Sequence, residues 1–348
     1  MAQRGRKRRT TQRRTSEVLC VGIDLGTSRS AVSAGNGNRE LVESYVGWPK
    51  DFVAQKMLGQ RVLFGKDALE HRLSLDLVRP LAAGVIKDTT EREEEAVREL
   101  AGHLVELAGA APGQKIHVAV GVPAEALKVN RDAIREAASG FTDKLALVSE
   151  PFAVAYGLGM LDNAMVVDIG AGTVDFCIMH GTMPGDDDQR SLLTAGDSVD
   201  IALLSALNEN YPDSDFTLNI VRHFKEQYGF VGAARKKVTV EVPVKGRMMS
   251  HDITEEMRRA CETIMAPVAE TLLDMIGRYD PEFQERVRNN IILAGGGSQI
   301  AGIEDYLQEA VREYADCRIT SVDDPVFAGA DGALELANDG PEEFWARE

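Results

Sequence analysis

The chain has 348 residues, 44% hydrophobic and 27% charged, which are ordinary proportions for a globular protein large enough to bury more than one core. No apolar stretch approaches the roughly 20 residues that span a bilayer, and the apolar run after the basic start is too short for a secretory leader, so the expected location is the cytoplasm. The four cysteines (Cys20, Cys177, Cys261 and Cys317) form no C-x-x-C pair and no histidine cluster has metal spacing, which leaves reduced, buried thiols acting as small hydrophobes.

The net charge of −16 is unevenly spread. Residues 1–16 carry Arg4, Arg6, Lys7, Arg8, Arg9, Arg13 and Arg14 and no acid, so removing those seven cations leaves −23 on the remainder. This basic arm has too little apolar content to fold alone and is expected to be disordered. Besides a solvated tail, its chemistry fits contact with anionic lipid, nucleic acid or the acidic body of a neighbouring subunit, and sequence does not choose among them.

The first apolar run, "VLCVGI" from Val18, ends on Asp24-Leu25-Gly26-Thr27-Ser28 and continues into small and apolar residues. This reads as a hairpin: strand, tight glycine turn, strand. Glycine lets backbone approach a ligand closely, and consecutive amides in such a turn make an anion nest. An aspartate there would repel phosphate unless Mg²⁺ lies between them, its bound water oriented by the carboxylate. The segment "GQRVLFGKD" from Gly59 imitates a phosphate loop but has one residue too many between its glycines, and Lys66 is followed by Asp67. Next come a helix over "EREEEAVRELAGHLVELAG", a strand "IHVAVGV", a helix over "NRDAIREAAS" and a strand "LALVSE", an alternation that predicts α/β layers. Glu150-Pro151 then opens a small-residue helix in "LVSEPFAVAYGLG"; proline at a first turn and an acid at the positive helix end are ordinary chemistry.

"AMVVDIGAGTVDF", residues 164–176, repeats the first hairpin. Asp168-Ile169-Gly170-Ala171-Gly172-Thr173 matches the Asp24 turn 144 residues earlier, about a domain's length. One D-x-G turn is common hairpin chemistry. Two, each after an apolar strand, would clamp a triphosphate from both sides, with Asp24 and Asp168 holding Mg²⁺ through water. "GDDDQR" at 185–190 is a charged, solvated turn. A third glycine loop, Gly295-Gly296-Gly297-Ser298, follows the strand "NIILA" and precedes a helix over "IEDYLQEAVREYA", a setting suited to a base or ribose. It is not a dinucleotide fingerprint, because the third glycine would fall at Ile300.

Two acidic hairpins, a connecting helix and a late glycine loop together resemble the actin, Hsp70 and sugar-kinase superfamily. "HFKEQYGFVG", with Lys225-Glu226, resembles the segment that closes over adenine and ribose in actins, and "DPVFAGADGAL" resembles the second interdomain connector, where Gly329, Ala330 and Gly332 would let two helices cross at a hinge. Within the superfamily the chain resembles the bacterial actins that organise magnetosome chains, on the segment from Val42 to Val85, "SEPFAVAYGL", "VDIGAGTVDFCIMHGTMPG", "HFKEQYGFVG" and "NIILAGGGSQIAG".

The resemblance implies a fold of two α/β halves around a nucleotide cleft, each half with a small insert. Subdomain IA would be 17–43, 79–162 and 325–348; IB 44–78; IIA 163–197 and 258–324; IIB 198–257. It implies ATP and Mg²⁺ as ligands, Glu150 positioning the attacking water with Asp168 as its catalytic companion, and ATP hydrolysis coupled to assembly and disassembly of a cytoplasmic, head-to-tail filament with paired strands. The filament would lie along the magnetosome chain and work through magnetosome adaptor proteins. The rival functions are a plasmid-segregating or shape-determining bacterial actin and a small-molecule kinase of the same superfamily. An Hsp70-type chaperone, which would need an appended peptide-binding domain, is not expected.

Overall fold

The computed structural model describes residues 17–81, 91–124, 130–312, 314 and 316–345. The basic arm expected over 1–16 lies outside them, as do residues 82–85, Glu313 and Ala315 of the expected late helix, and residues 346–348.

Two five-stranded mixed sheets carry the architecture. The first contains β1 (Val18–Leu25), β2 (Arg29–Ala34), β3 (Arg39–Glu43), β7 (Lys115–Val122) and β8 (Lys144–Ser149), in the order β3-β2-β1-β7-β8. Between β3 and β7 run β4 (Val46–Pro49), β5 (Leu63–Phe64) and β6 (Leu75–Val78), a separate small sheet in the order β5-β4-β6. The second large sheet contains β9 (Asp162–Ile169), β10 (Val174–His180), β11 (Gln189–Leu192), β14 (Ile291–Ala294) and β15 (Ile319–Ser321), in the order β11-β10-β9-β14-β15. A two-stranded ribbon, β12 (Thr239–Val244) with β13 (Arg247–Asp252), is set apart from it.

The two large sheets have the same topology. β1 pairs antiparallel with β2 and parallel with β7; β9 pairs antiparallel with β10 and parallel with β14. In register, Asp24 lies beside Gly121 and Asp168 beside Ala294, so each aspartate ends a central strand where the parallel strands also end. Open α/β sheets bind ligands at that edge. The central strands are near-continuous apolar runs because both faces are covered.

The helices Glu150–Gly157 and Ala328–Asp339 cross between the sheets. They share a core with both: Ala119 and Val148 from one sheet, Val166 and Ile292 from the other, Phe152, Ala153, Ala333 and Leu336 from the helices. The crossing needs glycine, since a Cβ on Gly157 would fall 2.7 Å from the Cα of Gly332. Each half also has its own larger core.

Three local expectations need adjustment. Cys177 and Cys261 are buried, but Cys20 and Cys317 are only half-buried. The acidic turn at 185–190 runs straight into the edge strand β11, and its Asp188 receives the Gly185 amide rather than only solvent. The glycine loop does not open the α-helix: it forms a single 3₁₀ turn, Gly296–Gln299, and the helix Ile303–Val311 starts after Gly302.

Candidate nucleotide site

The turns that end β1 and β9 face one cleft of about 240 Å³. Asp24, Gly26, Thr27 and Ser28 line it from the first half; Asp168, Gly170, Ala171, Gly172 and Thr173 line it from the second. Glu150, Lys225, Glu226, Gly295, Gly296 and Gly297 complete the wall. Ser298 is the exception among the residues expected there. It is buried outside the lining, and its hydroxyl donates to the Gly295 carbonyl at 2.8 Å.

Two of the loop glycines are required by packing on the second hairpin. A Cβ on Gly295, whose φ is +73°, would fall 2.3 Å from Asp168 Oδ1, and one on Gly297 would fall 2.2 Å from Ile169 Cγ2. Only Gly296 has open space before it. The loop thus presses flat against the strand end that presents Asp168, which fixes that carboxylate.

Asp24, Glu150 and Asp168 crowd together, and among the described residues none has an ion-pair partner. Burial pushes Asp24 up to about 6, an effect reduced by its hydrogen bond with Glu150. Glu150 is held well above the usual carboxylate range by burial, then by the charges of Asp24, Asp168 and Asp175. Asp168 is raised by burial, then by Asp24 and Asp175. Glu150 Oε1 is buried with no hydrogen-bond partner. Uncompensated buried carboxylates and an orphan acceptor fit a cation and ordered water. Among the described residues no three acidic, histidine or cysteine side chains are arranged to hold a metal alone, so a Mg²⁺ here would take its remaining oxygens from phosphate and water.

Several functional-looking groups are already engaged. The Thr173 hydroxyl donates to Asp175 Oδ2 at 2.6 Å, so it is not a free donor for phosphate. Asp175 also accepts from the Ala124 amide at 3.0 Å and from Ser191 Oγ. The Lys225 ammonium lies 2.7 Å from Asp200 Oδ1 and donates to the Gly196 carbonyl at 2.8 Å. Glu226 pairs across the cleft with Arg29 at 2.7 Å. Sequence reasoning missed Arg79, Asp175, Asp197 and Arg222. Only Asp175, an acid inside the apolar strand "VDFCIM", announces itself; the partners of the arginines are too distant in sequence to foresee.

The profile of the family described as MreB/Mbl protein matches residues 19–342. The actin-like protein MamK of Paramagnetospirillum magneticum is 39% identical over 327 residues, 94% of each chain. A solved MamK double helical filament superposes with a TM-score of 0.90 at 39% identity, covering 93% of this chain and 100% of that one. A non-polymerising MamK mutant bound to AMPPNP superposes at 0.72 with 39% identity, covering 92% of this chain and 99% of that one. With two matching halves around one acidic cleft, the chain belongs to the MreB/Mbl family of actin-like proteins.

Proposed function

We propose that this chain is an ATP-dependent, filament-forming bacterial actin that hydrolyses ATP and positions magnetosomes. The observation that carries this reading is that two acidic hairpins from duplicated sheets, plus the glycine loop, line one cleft. Relatives at 39% identity include a MamK filament and a MamK mutant holding an ATP analogue, which supports extending assembly and nucleotide binding to this chain.

The backbone turns Gly26–Ser28 and Gly170–Thr173 would hold the phosphate chain from opposite walls. Asp24 and Asp168 would hold Mg²⁺ through water, and the ion would neutralise phosphate charge. Glu150 lies against Asp24, and its carboxyl group, whose Oε1 is buried without a hydrogen-bond partner, would orient a water molecule. Orientation matters more than basicity in phosphoryl transfer to water. Each half holds part of the phosphate chain, so losing the γ-phosphate loosens closure about the helices Glu150–Gly157 and Ala328–Asp339. Head-to-tail addition of the closed form is a heterologous contact that builds an open filament. In the cell this filament would lie in the cytoplasm beside the magnetosome chain and engage it through adaptor proteins.

Sedimentation and electron microscopy of the purified chain with and without Mg²⁺-ATP test this reading. Filaments that form with Mg²⁺-ATP, followed by phosphate release, are expected. Nucleotide consumption without polymer would instead fit a kinase.

A further inference from the structure

Arg79 lies in the first half, just after β6, and was not among the residues expected at the cleft. Its guanidinium makes three directed contacts. Nε donates to the Thr27 carbonyl at 2.8 Å, Nη1 to Asp197 Oδ2 at 2.7 Å and Nη2 to Asp197 Oδ1 at 3.2 Å. The pair is largely shielded, with side-chain exposures of 16% and 23%. Asp197 belongs to the second half, in the first turn of the helix Gly196–Asn210. Its amide donates to the Ala171 carbonyl at 2.7 Å, and the Gly196 amide to the Gly170 carbonyl at 3.1 Å.

These contacts form a continuous path from the first phosphate turn to the second: Thr27 carbonyl, Arg79, Asp197, Ala171 carbonyl. No nucleotide atom belongs to it. Among the described residues other contacts also cross between the halves, including Arg29 with Glu226 at 2.7 Å, Arg222 with the Tyr45 hydroxyl at 3.0 Å, and the Ala124 amide with Asp175 Oδ1 at 3.0 Å, which reaches β10 rather than a turn. The first is more exposed, and the second joins the insert rather than a turn. Only arginine has the planar fork that can take a carboxylate with two donors and a carbonyl with a third.

We infer that Arg79 is a positioning residue that sets the spacing of the two phosphate turns independently of the γ-phosphate, and so governs how well the cleft retains the diphosphate product. The inference rests on the reading of the cleft as a nucleotide site. With a triphosphate bound, the ligand itself spans both turns. With a diphosphate, the Arg79–Asp197 bridge carries more of the closure. Removing the bridge therefore weakens ADP more than an ATP analogue, whereas a general packing defect weakens both alike.

The test compares wild type, Arg79→Lys and Asp197→Asn as full-length chains. Mg²⁺-ADP and Mg²⁺-AMPPNP affinities are measured by calorimetry below the assembly concentration, and amide hydrogen exchange is followed in the nucleotide-free protein. Arg79→Lys keeps the charge but cannot make the fork, so it is the milder variant if Asp197→Asn folds poorly. The expected result is about a tenfold loss for ADP with a smaller loss for AMPPNP, the scale of one lost charge-assisted bidentate contact. Exchange should quicken at residues 24–28 and 168–173 while β12 and β13 stay unchanged. Equal losses for the two nucleotides, or no loss with unchanged exchange, overturn the inference. A wild type that binds neither nucleotide overturns the nucleotide reading and this inference with it; a wild type that binds both and is matched by Arg79→Lys overturns the inference alone.

Discussion

Gly332 packs directly on the backbone of Ala153: a Cβ placed on Gly332 would fall 1.8 Å from the Ala153 carbonyl oxygen. The two helices that meet there lie between the large sheets, and backbone cannot give way as a flexible side chain can. Gly332→Ala should therefore lower stability by about 2 kcal/mol or more, the scale of an overpacked core. Urea unfolding measures it. A midpoint equal to wild type would mean the helices can separate freely.

The acidic cluster makes nucleotide-free stability depend on pH. The folded pKa of Asp24 is about 6 against an ordinary 3.8, so folding favours its protonated form. That contribution is present below the ordinary carboxylate range and is lost as pH rises from about 4 through about 6. Asp24→Asn should thus be more stable than wild type near pH 7.5, by on the order of 2 kcal/mol, with the gap narrowing as pH falls through about 6 and closing near pH 4. Thermal melts of both proteins without nucleotide read this directly. A gap that does not change with pH would contradict the crowding described above.

Glu150→Gln keeps a hydrogen-bonding group beside Asp24 but loses the carboxylate. It should bind nucleotide and assemble, yet release phosphate about 10²–10³-fold more slowly, the range typical of a lost acid–base or water-positioning group. A phosphate-release assay at saturating Mg²⁺-ATP checks it. Release at the wild-type rate would place the water elsewhere.

The glycine loop offers an internal control. Gly295→Ala would put a methyl against Asp168 Oδ1 at a positive φ, whereas Gly296→Ala meets open space. Mg²⁺-AMPPNP affinity should fall about tenfold or more in the first variant and little in the second, since a displaced carboxylate loses its geometry. Equal affinities would show that the loop does not fix Asp168.

Much of the fold was legible because its signals are local. The runs "VLCVGI" and "AMVVDI" are long, apolar and closed by the same D-x-G turn, and they form the matching strands β1 and β9. The duplication implies two halves, the resemblance to actins implies their fold, and the family match over 19–342 agrees with both. The glycine loop was located but its reason was not: Gly295 and Gly297 are needed against Asp168 and Ile169, 126 or more residues earlier, a contact no local pattern encodes. The Thr173 hydroxyl looked like a phosphate donor because its acceptor, Asp175, read as an ordinary strand residue. Arg79 in "LVRPL" carries no mark of a partner at Asp197, 118 positions on. Edge strands such as β11 were missed because they are short and half-exposed, without a clean period.

A structure of the chain with Mg²⁺-AMPPNP tests the central proposal most directly, through the position of the phosphates. They should lie between the Gly26–Ser28 and Gly170–Thr173 turns, with the metal's water shell reaching both Asp24 and Asp168. Phosphates bound against one half only, or outside the cleft, would contradict it.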